Sequence, residues 1–340
     1  MAAELDVAKT IAGARVVDPL GSGTHREVGG PPPVGAEPVR APAGIVSYEP
    51  ADLTVCLGAG TTVAELQSAL GEHGQECALD PRDDTATVGG TLATGLSGMR
   101  RLRVGPVRDQ VLEVRMAIAD GRLVRGGGPT VKNVTGYDLP RLFVGSLGTV
   151  GVATRVILRC RPRPAHISWG STTDAPEAVA ARCFRPSAVV WDGERTRVLT
   201  EGHEDDVRAT AERVGLHACD APPLPDGPHR GRASVPVSAV VTLGRMLAGM
   251  PDVRWLAEIG VGTIHIAADT QDALQRARDA TARAGGWMLR EAGARGLDGF
   301  GVDLPNADLM ARVRDAFDPD AKLAPGRLPF PPPRPEGETG

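Results

Sequence analysis

Asp80-Pro-Arg-Asp-Asp-Thr-Ala-Thr-Val-Gly-Gly-Thr-Leu-Ala-Thr-Gly-Leu-Ser-Gly98 is the stretch that decides the fold of this chain. It combines closely spaced glycines with threonine and serine, and its large aliphatic side chains are only Val88, Leu92 and Leu96. Glycine lets the backbone approach a ligand closely, and successive main-chain N–H groups can hold a phosphate or a flat heteroaromatic group. The composition therefore indicates a ligand-binding segment, although a flexible glycine loop explains an isolated stretch of this kind equally well.

Two further segments have the same composition, Leu20-Gly-Ser-Gly-Thr24 and Gly145-Ser-Leu-Gly-Thr-Val-Gly151. One glycine-rich loop is weak evidence, but three in one half of the chain indicate a large shared ligand with a diphosphate. None of them reads G-x-G-x-x-G between a clear strand and helix with an acidic residue about 20 positions on, and G-x-x-x-x-G-K-[ST] is absent from the sequence. The sequence therefore predicts neither a Rossmann fold nor a P-loop.

The bulk composition is that of a globular protein. The chain has 340 residues, of which 41% are hydrophobic and 24% charged, which is enough for two domains with cores of their own. A net charge of −4 does not favour nucleic acid as a partner. Apolar runs stay well short of the ~20 residues of a transmembrane helix, and the N-terminus does not resemble a signal peptide. We therefore expect a cytoplasmic chain without a transmembrane segment, held at most peripherally at the inner face of the membrane through partners.

The five cysteines are scattered along the sequence without a C-x-x-C spacing. This pattern is typical of reduced cysteines that pack in the interior. A cysteine-ligated iron–sulfur cluster needs clustered thiolates, so such a centre would have to lie on a partner chain. The sequence predicts no metal site.

Two regions of different character follow one another along the chain. Residues 53–80 predict a strand, a helix with a Thr62/Glu65 capping box and a return strand, and residues 111–125 predict a hairpin that turns at Asp120-Gly121. After Arg161-Pro-Arg-Pro164 the glycine density falls, and an antiparallel sheet with helices on one face is predicted.

The order of the motifs resembles a known family. The three glycine-rich segments are joined by Arg103-Val-Gly-Pro-Val-Arg-Asp109 and Val131-Lys-Asn-Val-Thr-Gly-Tyr-Asp-Leu-Pro-Arg-Leu142, and the chain closes with Phe317-Asp-Pro-Asp-Ala-Lys-Leu-Ala-Pro-Gly-Arg327. This set resembles the flavin-binding (PCMH-type) proteins of the vanillyl-alcohol oxidase and p-cresol methylhydroxylase superfamily, and within it the E subunits of bacterial glycolate oxidases. The similarity is dense over about residues 20–165 and thin from there to the closing motif.

The resemblance implies an α+β fold with a two-subdomain PCMH-type FAD-binding domain and a smaller α+β, ferredoxin-like cap domain. We expect the FAD-binding domain at 1–164, the cap or substrate domain at 165–310, a segment returning to the FAD-binding domain at 311–328, and a disordered tail at 329–340. The tail is rich in proline and polar residues.

The resemblance also implies which residues bind FAD, because each position of the family motifs has a counterpart in this sequence. The first loop would hold the diphosphate, the second segment would line the pyrophosphate and the isoalloxazine, and the third would lie near the adenine and ribose. In that order the residues are Gly21, Ser22, Gly23 and Thr24; Pro81, Val88, Gly89, Gly90, Ala93, Ser97 and Gly98; and Gly148, Thr149, Gly151 and Val152. His25 adjoins the first loop, where some relatives link histidine covalently to flavin, but its offset differs by about one position. We therefore expect FAD to be non-covalent.

Departures from the family pattern concern the chemistry. Catalytic relatives carry paired histidines and a carboxylate in the second domain, whereas His265 stands alone in an apolar strand, where it is either a core residue or a candidate catalytic base. The closing motif has Ala324 where the family usually has Asn. Lys322 or Arg327 would be candidates for a cation beside the flavin.

A polar group at Lys132, Asn133, Tyr137 and Asp138 is placed by the resemblance close to the core of the flavin domain. Asp138 and Arg141 could equally form an ion pair at the start of a helix.

Three functions remain open on the sequence. The favoured one is an FAD-binding oxidoreductase subunit of a glycolate oxidase-like 2-hydroxy acid dehydrogenase complex, which relays electrons or supports assembly beside a catalytic flavin subunit and an iron–sulfur subunit. The second is a self-sufficient FAD-dependent dehydrogenase of a small 2-hydroxy acid such as glycolate or D-lactate, with His265 as base and Arg254 or Arg290 as carboxylate clamp. The third is a scaffold protein without cofactor.

Overall fold

The computed structural model describes residues 1–129 and 137–330. Lys132, Asn133 and most of the tail expected to be disordered therefore lie outside the described residues. In chain order the α-helices are α1 (Ala2–Gly13), α2 (Val63–Gly71), α3 (Val88–Thr94), α4 (Arg101–Val104), α5 (Leu139–Phe143), α6 (Pro176–Arg182), α7 (Glu204–Val214), α8 (Val240–Ala248), α9 (Gln271–Arg283) and α10 (Ala307–Phe317). The strands are β1 (Val17–Pro19), β2 (Glu37–Val39), β3 (Ile45–Glu49), β4 (Thr54–Gly58), β5 (Gln75–Glu76), β6 (Val111–Ala117), β7 (Leu123–Gly127), β8 (Val152–Arg159), β9 (Arg161–Pro162), β10 (His166–Thr172), β11 (Ala188–Trp191), β12 (Thr196–Gly202), β13 (His217–Ala218), β14 (His229–Ser234), β15 (Val253–Glu258), β16 (Thr263–Ala268) and β17 (Trp287–Ala292).

The described residues form two compact units. The first comprises 1–96, 106–162 and the residues from 303 onward, and the second comprises 97–105 and 163–302. Compared with the boundaries expected from the sequence, the second unit additionally takes in 97–105, and the first unit resumes at 303 instead of 311. Both units mix helices and strands, which confirms the α+β class. Within the described ranges, no helix has the length and apolar character needed to cross a membrane.

The first unit is built on a five-stranded antiparallel sheet in the order β3-β4-β8-β6-β7. Leu66 of α2, Leu92 of α3 and Phe143 of α5 are buried in one core with the side chains of this sheet. The predicted capping box is present, because the Thr62 hydroxyl accepts from the Glu65 N–H and the Glu65 carboxylate accepts from the Thr62 N–H. The predicted hairpin is β6–β7. Local patterns therefore predicted most of this sheet.

Helix α1 is tied to the sheet by a buried charge. The Glu4 carboxylate, 3% exposed, lies 2.9 Å from Arg155 of β8 and 3.5 Å from Arg115 of β6. A buried carboxylate is costly unless it is paired, so these two guanidinium groups hold α1 in one position. At the other end of the helix, the Lys322 ammonium donates to the carbonyls of Ile11, Ala12 and Ala14.

The segment from 318 onward, which is part of the first unit, completes a small parallel arrangement. β1 pairs in parallel with β2, and Leu323 forms a parallel bridge with Val17 on the other side of β1. The Val17 N–H donates to the Lys322 carbonyl at 2.8 Å, and the Ala324 N–H donates to the Val17 carbonyl at 2.9 Å. β1 is therefore held between β2 and the segment around Leu323, which is distant in sequence.

The second unit contains an eight-stranded antiparallel sheet in the order β13-β10-β12-β11-β15-β16-β14-β17. Its connections are two successive β-α-β-β-α-β units, each with its fourth strand beside its first, and they join where β11 pairs with β15. Helices α6 to α9 share one core with one face of the sheet, as Val179, Val214, Leu243 and Leu274 show. The predicted ferredoxin-like unit is thus present twice.

Gly30 is a position where the returning segment allows no side chain. A Cβ on Gly30 would lie 1.8 Å from the backbone oxygen of Gly326. We expect Gly30→Ala to lower the free energy of unfolding by roughly 1–3 kcal/mol, because backbone on both sides must shift. Chemical denaturation measures this change.

Gly13→Ala is the matched control, because a Cβ on Gly13 meets nothing within 4 Å. It should leave stability unchanged or raise it by up to about 1 kcal/mol, since alanine is the better helix former. Equal stability of the two variants would contradict the close packing of Gly30 on Gly326.

Candidate functional site

All three glycine-rich segments contribute to one cavity of about 300 Å³ in the first unit, called here the main cavity. This volume is at the lower end of the range for small-molecule sites. The first segment contributes Gly21 and Ser22. The predicted residues that the other two segments place in its wall are Gly89, Gly90, Ala93, Gly148, Gly151 and Val152.

The glycines of the opening stretch allow a helix to approach a turn. Val88 to Thr94 are helical, so the segment is not a flexible loop, and the Thr87 hydroxyl caps this helix by accepting from the Gly90 N–H. The Gly89 N–H donates to the Ala59 carbonyl at 2.7 Å, and a Cβ on Gly89 would lie 3.0 Å from that oxygen. The small residues therefore bring the start of α3 against the turn at 58–60, and both line the main cavity.

The first loop approaches α3 just as closely. A Cβ on Gly21 would lie 2.3 Å from the Thr87 hydroxyl oxygen. Thr62 and Thr87 both line the main cavity, and each carries a hydroxyl. The two residues form an antiparallel bridge. Backbone N–H groups and hydroxyls at a surface without Cβ atoms suit a phosphate-containing ligand.

A smaller side cavity of about 70 Å³ shares Gly21, Ser22, Gly90, Ala93 and Gly148 with the main cavity. Its other walls are polar. Asp18 and Arg26 form an ion pair at 2.8 Å, His25 and Thr24 follow the first loop, and Arg327 comes from the returning segment.

The predicted site residues outside the main cavity divide into three groups. Gly23 and Thr24 line the side cavity alone. Pro81, Val88 and Thr149 line neither cavity: the side chain of Val88 is fully buried in the core, and the Thr149 hydroxyl donates to the Ser146 carbonyl at 2.8 Å. Ser97 and Gly98 belong to the second unit, where the Ser97 carbonyl accepts from Arg232.

The two candidate cations differ in role. Lys322 caps α1 and lines neither cavity, so it does not fit the position beside a flavin. Arg327 lines the side cavity, and its guanidinium donates to the carbonyls of His25, Arg26 and Gly30. Of the two, only Arg327 reaches the candidate site.

Ala324 also lines the side cavity, and its backbone explains the Asn that the family pattern has there. Its φ is +45°, in the left-handed region. Asparagine tolerates this region better than alanine, because its short side chain hydrogen-bonds locally. Alanine in place of asparagine at 324 therefore adds backbone strain to the loss of a side-chain amide.

Asp138 has a structural role, since its carboxylate caps α5 by accepting from the Arg141 N–H at 3.1 Å and pairs with the Arg141 guanidinium at 3.1 Å. Tyr137 is 91% exposed. Asp138 and Arg141 therefore form the ion pair at the start of a helix that the sequence offered as one interpretation.

Sequence reasoning missed several residues of the main cavity. Ala59 and Gly60 of the turn at 58–60 were not predicted as part of the site, although the two glycines of this turn were a usable signal. Arg40 carried no signal, because it reaches the cavity only through the pairing of the three-residue strands β1 and β2. Such short strands leave no periodic pattern in the sequence.

His265 in the second unit is buried and paired with a carboxylate. Its Nε2 lies 2.6 Å from Oε1 of Glu258, and the two residues are 1% and 3% exposed. Within the described part of the chain, His265 Nδ1 and Glu258 Oε2 have no hydrogen-bond partner. The histidine that stands alone in the sequence therefore acquires an acidic neighbour from the adjacent strand β15.

Both candidate carboxylate clamps are engaged elsewhere. Arg254 lies 2.6 Å from the Asp269 carboxylate, and Arg290 donates to the Gly293 carbonyl at 2.8 Å. These contacts make neither arginine a strong candidate for binding a substrate carboxylate.

Thiolate chemistry is not indicated by the cysteines. Burial raises the pKa of the Cys160 thiol to about 12, and burial also raises the pKa of Cys183. In the part of the chain that the structure describes, no group of three or more His, Cys, Asp or Glu could hold a metal ion.

Comparison with known proteins agrees with the geometry of the first unit. Residues 6–127 match the FAD binding domain family. The chain is 37% identical over 186 residues to the glycolate oxidase subunit GlcE of Escherichia coli (strain K12), covering 52% of this chain and 53% of that protein. It is 42% identical over 111 residues to D-lactate dehydrogenase of Archaeoglobus fulgidus, covering 33% of this chain and 25% of that protein.

The chain thus spans about half the length of the first of these relatives and a quarter of the second. Among solved structures, alkyldihydroxyacetonephosphate synthase matches with a TM-score of 0.66 and 15% identity, over 94% of this chain and 74% of that chain. At this identity the match shows the fold alone. Together these findings confirm the predicted PCMH-type fold and the FAD cofactor.

The backbone at Ala324 gives a testable prediction. We expect Ala324→Asn to raise the free energy of unfolding by roughly 0.5–1 kcal/mol, because asparagine is less strained at positive φ. The matched control is Ala316→Asn on the exposed side of α10, which should lower stability by about 0.5 kcal/mol through helix propensity. Because Ala324 is 1% exposed, the asparagine amide must find its hydrogen-bond partners in the side cavity. A loss of stability in both variants would contradict the expected preference for asparagine at 324. Denaturant titrations of the two variants measure the difference.

Proposed function

We propose that the chain, whose residues 6–127 match the FAD binding domain family, is the FAD-binding subunit of a glycolate oxidase-like 2-hydroxy acid dehydrogenase complex. Its partners are a catalytic flavin subunit and an iron–sulfur subunit, and its own task is to relay electrons or to support assembly. The complex acts on a small 2-hydroxy acid, and its place is the cytoplasm or the inner face of the membrane. The observation that carries this proposal is the meeting of the three glycine-rich segments at the main cavity.

The main cavity fits the cofactor because its wall has few Cβ atoms where backbone segments meet. Gly21 and Ser22 after β1 offer N–H and hydroxyl donors for the diphosphate, and Gly89 and Gly90 at the start of α3 line the same cavity. Bound FAD supplies the isoalloxazine that accepts and releases electrons. The chain itself binds and orients the cofactor and excludes water from it.

A relay or assembly role is supported by the second unit, because the polar residues there that were candidates for catalysis are engaged or buried. Arg254 and Arg290 are engaged within the protein, and His265 is buried beside Glu258. The relative that is 37% identical to this chain over 186 residues is named a glycolate oxidase subunit.

We expect the purified chain to be yellow, with absorbance near ~450 nm, and to lose this colour to the supernatant on acid precipitation, because no covalent link holds FAD. Anaerobic addition of glycolate or D-lactate should leave the absorbance unchanged with the chain alone and bleach it once the partner subunits are added. Absorbance spectra before and after each step measure both results.

Colour that stays in the acid pellet would overturn the non-covalent assignment, and bleaching of the chain alone would overturn the relay role. A colourless protein that takes up no added FAD would leave the scaffold function standing.

A second candidate function is favoured by the His265–Glu258 pair. When a carboxylate accepts from Nε2–H, the other ring nitrogen, Nδ1, is left as a base. Among the described residues this nitrogen has no hydrogen-bond partner, but the His265 side chain is 1% exposed, so a substrate would reach it only after a change in the packing around it. On this basis the chain would be a self-sufficient FAD-dependent dehydrogenase of a small 2-hydroxy acid, with His265 as the proton acceptor.

This second function makes its own prediction. If the chain alone is bleached by D-lactate or glycolate, His265→Gln should slow the bleaching by about 10²- to 10⁴-fold, the range for loss of a general base. Stopped-flow absorbance under anaerobic conditions measures the rate. The exposed His73→Gln is the control and should leave the rate unchanged. Equal rates in His265→Gln and the unsubstituted chain would reject His265 as the base.

A further inference from the structure

Arg40 is the one charged side chain among the described residues that line the main cavity. The other lining residues are small, apolar or hydroxyl-bearing. A diphosphate carries two negative charges, and in a cavity of this composition those charges are met by N–H dipoles and by Arg40.

The position of Arg40 follows from the pairing of two strands. β1 and β2 are parallel, with Val17 opposite Glu37 and Pro19 opposite Val39. The carboxyl ends of parallel strands meet at the same edge, so the first loop leaves β1 beside the point where Arg40 leaves β2. The Leu20 N–H donates to the Val39 carbonyl at 2.9 Å, and the Arg40 guanidinium donates to the Gly21 carbonyl.

The charge of Arg40 is not neutralised by the protein. In the described part of the chain its hydrogen bond to the Gly21 carbonyl is its one polar contact, and no carboxylate pairs with it. Arg26, in the side cavity, is paired with Asp18 at 2.8 Å, and Arg327 binds backbone carbonyls. A guanidinium has five N–H donors in a planar fork, so Arg40 can hold the Gly21 carbonyl and a phosphate oxygen together.

We propose that Arg40 binds the diphosphate of FAD and makes the site selective for a dinucleotide flavin over flavins without a diphosphate. This inference rests on the proposed FAD-binding function. The Gly21 carbonyl belongs to the loop that would hold the diphosphate, and the Arg40 guanidinium offsets its partial negative charge by donating to it. Arg40 thereby joins the cofactor to the first loop.

The test compares FAD with riboflavin, which has the same isoalloxazine but no phosphate. Flavin-free protein is titrated with each flavin, and binding is followed by flavin fluorescence at several KCl concentrations. Arg40→Met should weaken FAD binding by about 10- to 100-fold, the size expected for a charge-assisted hydrogen bond, and leave riboflavin binding within about 2-fold. The affinity of the unsubstituted chain for FAD should fall with KCl, and that of Arg40→Met should fall less.

Two further variants keep the proposal falsifiable. Arg40→Lys keeps the charge without the planar fork and should lie between the unsubstituted chain and Arg40→Met. Arg122→Met removes an exposed arginine of the same unit, 71% exposed and paired with Asp120, and should change neither affinity nor salt dependence. Thermal unfolding of each flavin-free variant reports whether it folds.

The outcomes separate this inference from the proposed function. FAD binding by Arg40→Met with unchanged affinity and salt dependence would overturn the role of Arg40 while FAD binding itself stands. Equal weakening of FAD and riboflavin would assign Arg40 a role in shaping the cavity and would also overturn the inference. An unsubstituted chain that binds neither flavin would reject the proposed function itself.

Discussion

The return of the chain at 318–328 to the first unit is the constraint on which the candidate site depends. Main-chain hydrogen bonds join Val17 to Lys322 and Ala324, and Gly30 to Arg327. β1 is therefore held from both sides, by β2 and by Leu323, and the first loop leaves it in a fixed direction. Without this segment, the first loop would have only a three-residue pairing to position it against α3.

A buried carboxylate organises the returning segment itself. Asp318 is fully buried and accepts from the N–H groups of Lys322 and Leu323 at 3.0 Å and 2.7 Å. Burial raises the pKa of this carboxyl, although the two N–H donors oppose the rise. Two other buried carboxylates of the first unit are paired with arginines instead, Glu4 with Arg155 and Asp18 with Arg26. Arg40 differs from these arginines because it lies at the wall of the main cavity without a carboxylate partner among the described residues.

Local patterns predicted much of the fold and part of the site. The Thr62 capping box and the β6–β7 hairpin are encoded within a few residues each, and both are present. Glycine spacing likewise indicated the segments that meet at the main cavity. The duplication in the second unit was not predicted, because it lies in the pairing order of strands that are distant in sequence.

By itself, the sequence determined where the backbone can be approached closely, since a missing Cβ is a property of each residue. Only the tertiary structure decided what each glycine meets. Gly21 packs on Thr87 and Gly30 on Gly326 because segments distant in sequence come together there. The same holds for charge. Lys322 and Arg40 are both basic residues, but in the folded chain Lys322 lies at the end of α1 and Arg40 lines the main cavity. An electrostatic role depends on what surrounds the group, and long-range contacts supply those surroundings.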